Sequence, residues 1–196
     1  MDHDLTSPSS SPHHLVVGGQ RSGKSRRAET LARRWREGGA DRGVVVVATA
    51  LAGDEEMRAR IERHQRERPA GFTTVEAPLH LAQALREASS PDRLLLVDCL
   101  TLWLTNWLMP LSGQPDEQAW EAEREALLAT LPTLASPVVF VSNEVGWGVV
   151  PLGREMRRFV DELGWLNQAV ARRCAQLTLV VAGQPWTRAV SDADAA

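Results

Sequence analysis

The segment that most constrains this chain is a short apolar run that leads into a glycine-bounded loop, LVVGGQRSGKS at residues 15–25. Gly18, Gly23, Lys24 and Ser25 fit the spacing G-x-x-x-x-G-K-[ST] of the phosphate-binding P-loop. The glycines let successive backbone N–H groups converge on a polyphosphate, and a helix beginning near the lysine adds the positive end of its dipole. We therefore expect a strand, a loop and a helix, with Lys24 on the β- and γ-phosphates and the Ser25 hydroxyl on Mg²⁺.

The cation content of the chain supports this interpretation over a glycine turn that matches by chance. Lysine and arginine together number 22, yet Lys24 is the sole lysine. A chain that uses arginine for every other cation has kept lysine where a compact ammonium on a flexible stem is needed.

Length and composition indicate a single globular domain. Of the 196 residues 43% are hydrophobic and 24% are charged, which is ordinary for a soluble protein with a real core. The net charge of -3 gives no reason to expect nucleic acid or an anionic membrane as the main partner. Cys99 and Cys174 lie in apolar contexts and are predicted to be buried free thiols of a reducing compartment.

The two ends of the chain are predicted to be loose. The first residues, through Pro12, are polar and Ser/Pro-rich without an apolar signal-peptide core, and no apolar run approaches about 20 residues. We expect a disordered leader over 1–14, a catalytic domain over 15–183, a loose polar tail over 184–196, and a cytoplasmic location.

Apolar runs alternate with helical patterns along the chain, which predicts an α/β fold that is P-loop NTPase-like (RecA-like): a doubly wound, mostly parallel sheet with helices on both faces. The predicted strands are Leu15–Val17, Val44–Val47, Phe72–Glu76, Leu94–Val97, Val138–Val141 and Leu177–Val181. The predicted helices are Lys24–Glu37, Asp54–Arg66, Leu79–Ala88, Thr101–Met109, Glu117–Leu131 and Arg154–Ala175.

Two further positions are candidates for chemistry. Asp98 follows the apolar run LLLV, as does the Walker-B acid that helps to hold Mg²⁺; the alternative is an aspartate that caps the next helix. His64 shares a helix stripe with Met57 and Ile61, which usually marks a core histidine. The surrounding arginines, which otherwise form a solvated face, also suit a phosphate-handling surface beside an imidazole nucleophile: Arg58, Arg60, Arg63, Arg66 and Arg68.

Two other features remain open between a structural and a functional interpretation. Asn143 and Glu144 follow a buried strand and precede two glycines, which suits an active-site loop or an ordinary turn. Trp103 and Trp107 are one helical turn apart and favour core or subunit interface over a ligand box.

Taken together, these motifs resemble the bifunctional adenosylcobinamide kinase / adenosylcobinamide-phosphate guanylyltransferases of cobalamin biosynthesis. The resemblance extends from about Leu15 to Gly183, and its P-loop is generic. Its specific segments are the one around His64 and the run SNEVGWGVVP at residues 142–151. Members often have Glu in place of Asp98 and adjacent histidines in place of Arg63 and His64.

The resemblance implies two reactions and a set of site residues. A nucleoside triphosphate, ATP or GTP, phosphorylates adenosylcobinamide; GTP then guanylylates the product through a GMP adduct on His64, with Lys24 also catalytic. It also implies Mg²⁺ on Ser25 and Asp98 and a homotrimer, whereas the charge and the short apolar runs are the grounds for expecting no nucleic-acid partner and no membrane span. The implied nucleotide-binding residues are Gly18, Gly19, Gln20, Arg21, Ser22, Gly23, Lys24, Ser25, Thr49, Ala50, Arg66, Glu67, Arg68, Glu76 and Asp98.

Other classes of protein compete with this interpretation. A monofunctional P-loop kinase for a small metabolite would use the same loop and leave His64 structural. A GTP-dependent switch lacks its Asn-Lys-x-Asp guanine motif here, because the sole lysine is in the P-loop. A nucleic-acid-stimulated ATPase is disfavoured by the acidic net charge.

Overall fold

The computed structural model describes residues 12–66, 68 and 70–191, apart from the side chains at positions 60 and 64. Seven strands form one sheet in the order β3-β2-β4-β5-β1-β6-β7, and every neighbouring pair is parallel except the antiparallel pair β6 and β7. The strands are β1 (His14–Gly18), β2 (Gly43–Ala48), β3 (Phe72–Glu76), β4 (Arg93–Asp98), β5 (Val138–Asn143), β6 (Gln176–Val181) and β7 (Gln184–Ala189).

Six α-helices and one short 3-10 helix (Leu131–Thr133) connect the strands in the described chain. The alternation of elements and the mostly parallel sheet confirm the predicted architecture, and two elements, α1 and β3, have the predicted bounds. The helices are α1 (Lys24–Glu37), α2 (Glu55–Arg66), α3 (Leu81–Ala88), α4 (Leu100–Leu108), α5 (Glu117–Thr130) and α6 (Arg154–Ala171). Helices α2 and α3 begin one and two residues later than predicted, α5 and α6 end one and four residues earlier, and α4 is shifted by one residue toward the N-terminus.

Both faces of the sheet are packed, but unequally. Alternate residues of β1 belong to different cores: Leu15 and Val17 pack on one face with the buried side chains of α3, α4, α5 and α6, whereas Val16 packs on the other with Ala28 and Ala32 of α1. This two-sided burial is the reason that β2 carries four consecutive valines. The described side chains of α2 are exposed or half-buried, so this helix is outside both cores.

The predicted loose tail is wrong over Gln184–Ala189. These residues form β7, paired antiparallel with β6 so that Val181 lies opposite Gln184. The two residues between the strands, Ala182 and Gly183, both have positive φ (49° and 77°), as a two-residue hairpin turn requires. The segment is polar and exposed, so it buries too little apolar surface to become ordered by itself. Backbone pairing with β6 supplies the order.

The predicted leader over 1–14 ends too late. His13 and His14 are buried, and His14 is the first residue of β1. The ring of His13 lies between a Leu131 carbonyl (Nε2 to O, 2.8 Å) and the Val138 amide, which donates to Nδ1 at 3.1 Å. His14 Nε2 is 2.7 Å from the Thr178 hydroxyl. Residues 1–11 lie outside the described chain.

Both cysteines are buried free thiols, as predicted. Burial raises the pKa of Cys99 to about 11, with the Asp98 carboxylate acting in the same direction, and burial also raises the pKa of Cys174. Trp103 is fully buried in the larger core and Trp107 packs partly buried against it, which confirms the core interpretation for this pair. Among the described helices, none has the length and apolarity needed to cross a bilayer.

Candidate nucleotide-binding site

The loop between β1 and α1 can be formed only with glycine at its first position. A Cβ atom added to Gly18 would lie 2.5 Å from both the Ser22 hydroxyl oxygen and the Val180 carbonyl oxygen. Inside the loop, the Ser22 amide donates to Gly19 O at 3.2 Å. The hairpin turn supports the loop from outside, because the Gly183 amide donates to Ser22 O at 2.8 Å. The loop is therefore tightly folded and attached to β6.

The start of α1 faces the loop as the P-loop spacing predicts. Gly23 precedes the helix with φ of 97°, a left-handed conformation that disfavours any other residue. Lys24 is the first helical residue; it is buried, and its Nζ donates to Gly19 O at 3.2 Å. An ammonium on the rim of a loop of amides, at a helix N-terminus, makes a positive site for a polyphosphate.

The predicted acid, Asp98, lies at the same edge of the sheet as the P-loop. Asp98 ends β4, where it lies beside Ala48 of β2 and Val141 of β5. On the far side of Ala48 lies Glu76, the last residue of the outermost strand β3. Since β5 also pairs with β1, Asp98 is two strands from the P-loop strand. Open α/β sheets bind ligands at this edge.

Three predicted site residues meet around one small cavity. Ser25, Asp98 and Arg68 line it, together with Glu29 of α1 and apolar side chains of the sheet. Arg68 donates through Nη1 to the Thr74 hydroxyl of β3, which holds it over this edge. Partial burial lowers the pKa of the Arg68 guanidinium, while the carboxylates of Asp98 and Glu29 act in the opposite direction.

The oxygen ligands in this cavity suit Mg²⁺. Ser25 offers a hydroxyl oxygen and Asp98 a carboxylate. Mg²⁺ binds such hard oxygen donors, and substrate phosphates and water complete its coordination shell. No cluster of three or more His, Cys, Asp or Glu capable of holding a metal occurs in the described chain. The residues thus fit a nucleotide-associated Mg²⁺, not a metal cage made by the protein alone.

The hydroxyl of Thr49, at the end of β2, has a structural partner. It donates to Cys99 O at 2.8 Å and accepts from the Cys99 amide at 2.9 Å, so it joins the ends of β2 and β4. The Thr49 carbonyl in turn accepts from Asn106 Nδ2 at 2.7 Å, and the same amide donates to Pro78 O at 2.8 Å. A nucleotide contact by Thr49 or its half-buried neighbour Ala50 stays a prediction.

A second polar cluster, which the sequence analysis did not assemble, fixes the end of β5. The Thr101 hydroxyl accepts from the Asn143 amide at 2.9 Å and from Asn143 Nδ2 at 3.2 Å. Asn167 of α6 is buried, and its Nδ2 donates to Asn143 O at 3.0 Å. The Glu144 amide donates to Gly18 O at 3.2 Å. Asn167 lies within a helical pattern and gives no local signal in the sequence, whereas Asn143 is marked by its position at the end of a buried strand.

The segment that follows this cluster in the sequence exposes apolar side chains to solvent. The segment from residue 145 to residue 152 turns at 146–148 and exposes Trp147 (70%), Val149 (96%) and Leu152 (97%). The site is therefore open on the side beyond Glu144.

The remaining predicted residues are split between described and undescribed positions. Arg66 is exposed at the end of α2, and Gln20 and Arg21 are exposed in the loop. Glu67 and the side chain of His64 lie outside the described residues, although position 64 is within α2. Their roles stay predictions.

Comparison with known sequences gives a clear family. The family model "Cobinamide kinase / cobinamide phosphate guanyltransferase" matches residues 14–187. The chain is 53% identical over 173 residues to the bifunctional adenosylcobalamin biosynthesis protein CobP of Pseudomonas aeruginosa, covering 87% of this chain and 94% of that one. It is 38% identical over 178 residues to the bifunctional adenosylcobalamin biosynthesis protein CobU of Escherichia coli, covering 86% and 95%.

Two solved structures resemble the fold at low sequence identity. The flagellar accessory protein FlaH from Methanocaldococcus jannaschii aligns with a TM-score of 0.49 at 8% identity, covering 91% of this chain and 77% of its own. The KaiC-like protein PH0186 from Pyrococcus horikoshii aligns with a TM-score of 0.44 at 15% identity, covering 85% and 69%.

The family match spans nearly all of the described chain, from the first residue of β1 into β7. It includes the P-loop, Asp98 and the segment that follows β5. The chain belongs to the cobinamide kinase / cobinamide phosphate guanyltransferase family of cobalamin-biosynthesis transferases.

Proposed function

We propose that this protein carries out both reactions of its family on one P-loop domain. In the first, ATP or GTP phosphorylates the hydroxyl of the aminopropanol arm of adenosylcobinamide. In the second, GMP is transferred from GTP to that phosphate, pyrophosphate leaves, and adenosylcobinamide-GDP results. The observation that carries the proposal is the convergence of Lys24, Ser25, Asp98 and Arg68 at the carboxyl edge of the sheet, in a chain that matches the family model over residues 14–187.

The residues at this edge would bind and orient the nucleotide. The loop amides and Lys24 would surround the β- and γ-phosphates, and Ser25 and Asp98 would hold Mg²⁺, which offsets phosphate charge when it is bound. Arg68 is fixed by Thr74 beside the same cavity and would contact a phosphate as a charged donor. Holding the phosphates in a fixed geometry is the main contribution of such a site to phosphoryl transfer.

We propose His64 as the residue that carries GMP in the second reaction. Its ring nitrogen would attack the α-phosphorus of GTP, the bond to the bridging oxygen would break, and pyrophosphate would leave. The acceptor phosphate oxygen then attacks the same phosphorus and releases His64. The support is the family match together with the arginine-rich sequence of α2, where Arg58 is paired with Glu55 at 3.8 Å and both side chains are largely exposed.

Labelled GTP tests this assignment directly. The protein is incubated with Mg²⁺ and GTP labelled at the α-phosphate, precipitated, and counted beside a His64→Ala variant. We expect protein-bound label that is labile to acid and stable to alkali, as a phosphohistidine linkage is, and its loss in the variant.

The same assay distinguishes the bifunctional enzyme from the alternative, a monofunctional kinase. A wild-type protein that phosphorylates adenosylcobinamide but takes up no label would be a monofunctional kinase with His64 structural. A Glu62→Ala variant is the matched control for α2, since it removes an exposed charge of that helix outside the arginine cluster and should retain the label.

We further propose that the enzyme acts in the cytoplasm as a homotrimer, on family resemblance. Light scattering on the full chain tests the assembly, because three copies of a 21.6 kDa chain have three times its mass. A monomer or dimer peak at assay concentration would contradict it.

A further inference from the structure

The kinase reaction needs a group to take the proton of the acceptor hydroxyl, and the described chain offers four carboxylates around the site. Asp98 and Glu29 line the cavity with Ser25. Glu76 ends β3, which three strands separate from β1. Glu144 alone among these follows β5, the strand that lies between β1 and β4 and hence between the P-loop and Asp98. Its backbone amide donates to Gly18 O, at the start of the P-loop.

The backbone at Glu144 is held by three other elements. Its amide donates to Gly18 O of β1, the carbonyl before it accepts from Asn167 of α6, and the amide of Asn143 donates to Thr101 of α4. The distances are 3.2, 3.0 and 2.9 Å respectively. The peptide that carries the Glu144 side chain is therefore fixed relative to the P-loop strand, which favours the positioning that proton transfer in a transition state requires.

The space beyond Glu144 is open to a large acceptor. The chain continues into the exposed segment 145–152, so no described helix or strand follows immediately to close that side. The acceptor hydroxyl would approach between the P-loop and this segment, with Glu144 at the junction.

We propose that Glu144 is the catalytic base of the kinase step, an inference that rests on the function proposed above. The hydroxyl oxygen of the acceptor attacks the γ-phosphorus and forms the new P–O bond. The bond from that phosphorus to the β–γ bridging oxygen breaks, and the nucleoside diphosphate leaves. The hydroxyl proton passes to a carboxylate oxygen of Glu144 and from there to water.

The competing role for Glu144 is to fix the turn. Its Oε1 accepts from the Gly146 amide at 3.2 Å, which is an ordinary capping contact. A glutamine at the same position keeps an oxygen acceptor for that contact but takes no proton at neutral pH. Glu144→Gln therefore separates the two roles, and Glu144→Asp keeps the carboxylate while withdrawing it by one methylene.

The test compares two activities in the same preparations: the kinase kcat with adenosylcobinamide and ATP, and guanylylation of the enzyme by α-labelled GTP. We expect Glu144→Gln to lower the kinase kcat by about 10²- to 10⁴-fold, with a much smaller effect on guanylylation. We expect Glu144→Asp to recover part of the kinase activity.

The control is Glu121→Gln, which removes an exposed carboxylate of α5 and should change neither activity. A Glu144→Gln variant that keeps more than half of the wild-type kinase kcat, or that loses both activities equally, overturns the role of Glu144. A wild-type protein that fails to phosphorylate adenosylcobinamide instead overturns the proposed function itself.

Discussion

At the scale of single residues, Thr49 shows how a predicted ligand contact and a structural role can meet in one side chain. Its hydroxyl is buried and serves both the amide and the carbonyl of Cys99. Because β2 and β4 end here, this pair of hydrogen bonds fixes the backbone that presents Asp98. The hydroxyl is thus needed whether or not a nucleotide touches it.

Replacement of Thr49 by valine should destabilise the fold. The buried Cys99 amide would lose its acceptor, which costs about 1–3 kcal/mol in the free energy of unfolding. Urea denaturation of Thr49→Val and Thr49→Ser measures this, and serine should retain most of the stability because it keeps the hydroxyl. Equal stability of valine and wild type would contradict the role.

His14 makes stability depend on pH. Burial, and secondarily the charge of Arg27, lowers its pKa from 6.5 to about 4, so the unfolded chain binds the proton more readily than the folded one between these values. Stability should therefore be complete above about pH 6.5 and fall toward pH 4, with His14 contributing about 1 kcal/mol per pH unit. Denaturation at pH 7, 6 and 5 measures the free energy of unfolding as a function of pH. We expect a shallower slope for His14→Gln than for the wild type. The same slope in both proteins would exclude His14 as the cause.

At the scale of elements, the larger core is organised by tryptophans from two helices. Trp120 of α5 packs edge-on against Trp103 of α4 with ring centroids 5.1 Å apart, and its Nε1 donates to Glu162 of α6 at 3.2 Å. This one side chain therefore joins three helices over one face of the sheet.

Truncation of Trp120 to alanine should cost about 3–5 kcal/mol in the free energy of unfolding, because it leaves a large cavity. Trp165→Ala is the matched control: the same change at a side chain that is 59% exposed should have an effect within about 1 kcal/mol. Denaturant unfolding followed by circular dichroism measures both. Similar losses for the two variants would contradict the assignment of Trp120 to the core.

The strand β7 protects the edge of the sheet. It covers the apolar strand β6, and the Thr178 and Thr187 hydroxyls are 2.7 Å apart across the pair. A chain ending at Gly183 would leave β6 as an exposed edge, so we expect a lower unfolding midpoint and aggregation. A chain ending at Ser191 keeps β7 whole and should behave as the wild type in thermal unfolding and light scattering. An unfolding midpoint and a light-scattering mass per chain equal to those of the wild type would refute this for the shorter chain.

At the scale of the whole molecule, binding at one edge should stabilise the entire domain. MgGTP at about 100 times its dissociation constant adds about 3 kcal/mol, which raises the unfolding midpoint of a domain of this size by about 5 to 10 °C. Lys24→Met should abolish this shift because the phosphates lose their buried cation. Arg33→Met, which removes an exposed cation of the same helix, should retain it. A normal shift in Lys24→Met would place the nucleotide elsewhere.

Local sequence patterns predict the P-loop, the order of the helices and of the first six strands, and the buried core strands. These follow from spacing and periodicity, which are local: glycines at fixed intervals permit the loop, and β2 with four valines suits only a strand covered on both faces. The family resemblance, read from two short segments, was also recoverable and is confirmed by the family match.

Other features of the protein depend on contacts between residues that are distant in sequence, and only the folded chain forms these contacts. The burial of His13 rests on Leu131, 118 residues away, and the order of β7 rests on pairing with β6. The position of Glu144 beside Gly18 follows from β5 lying next to β1, which no local pattern specifies. Several strand orders are compatible with the same local propensities, and the order is set by the packing of the whole domain. These residues therefore come together only in the folded sheet.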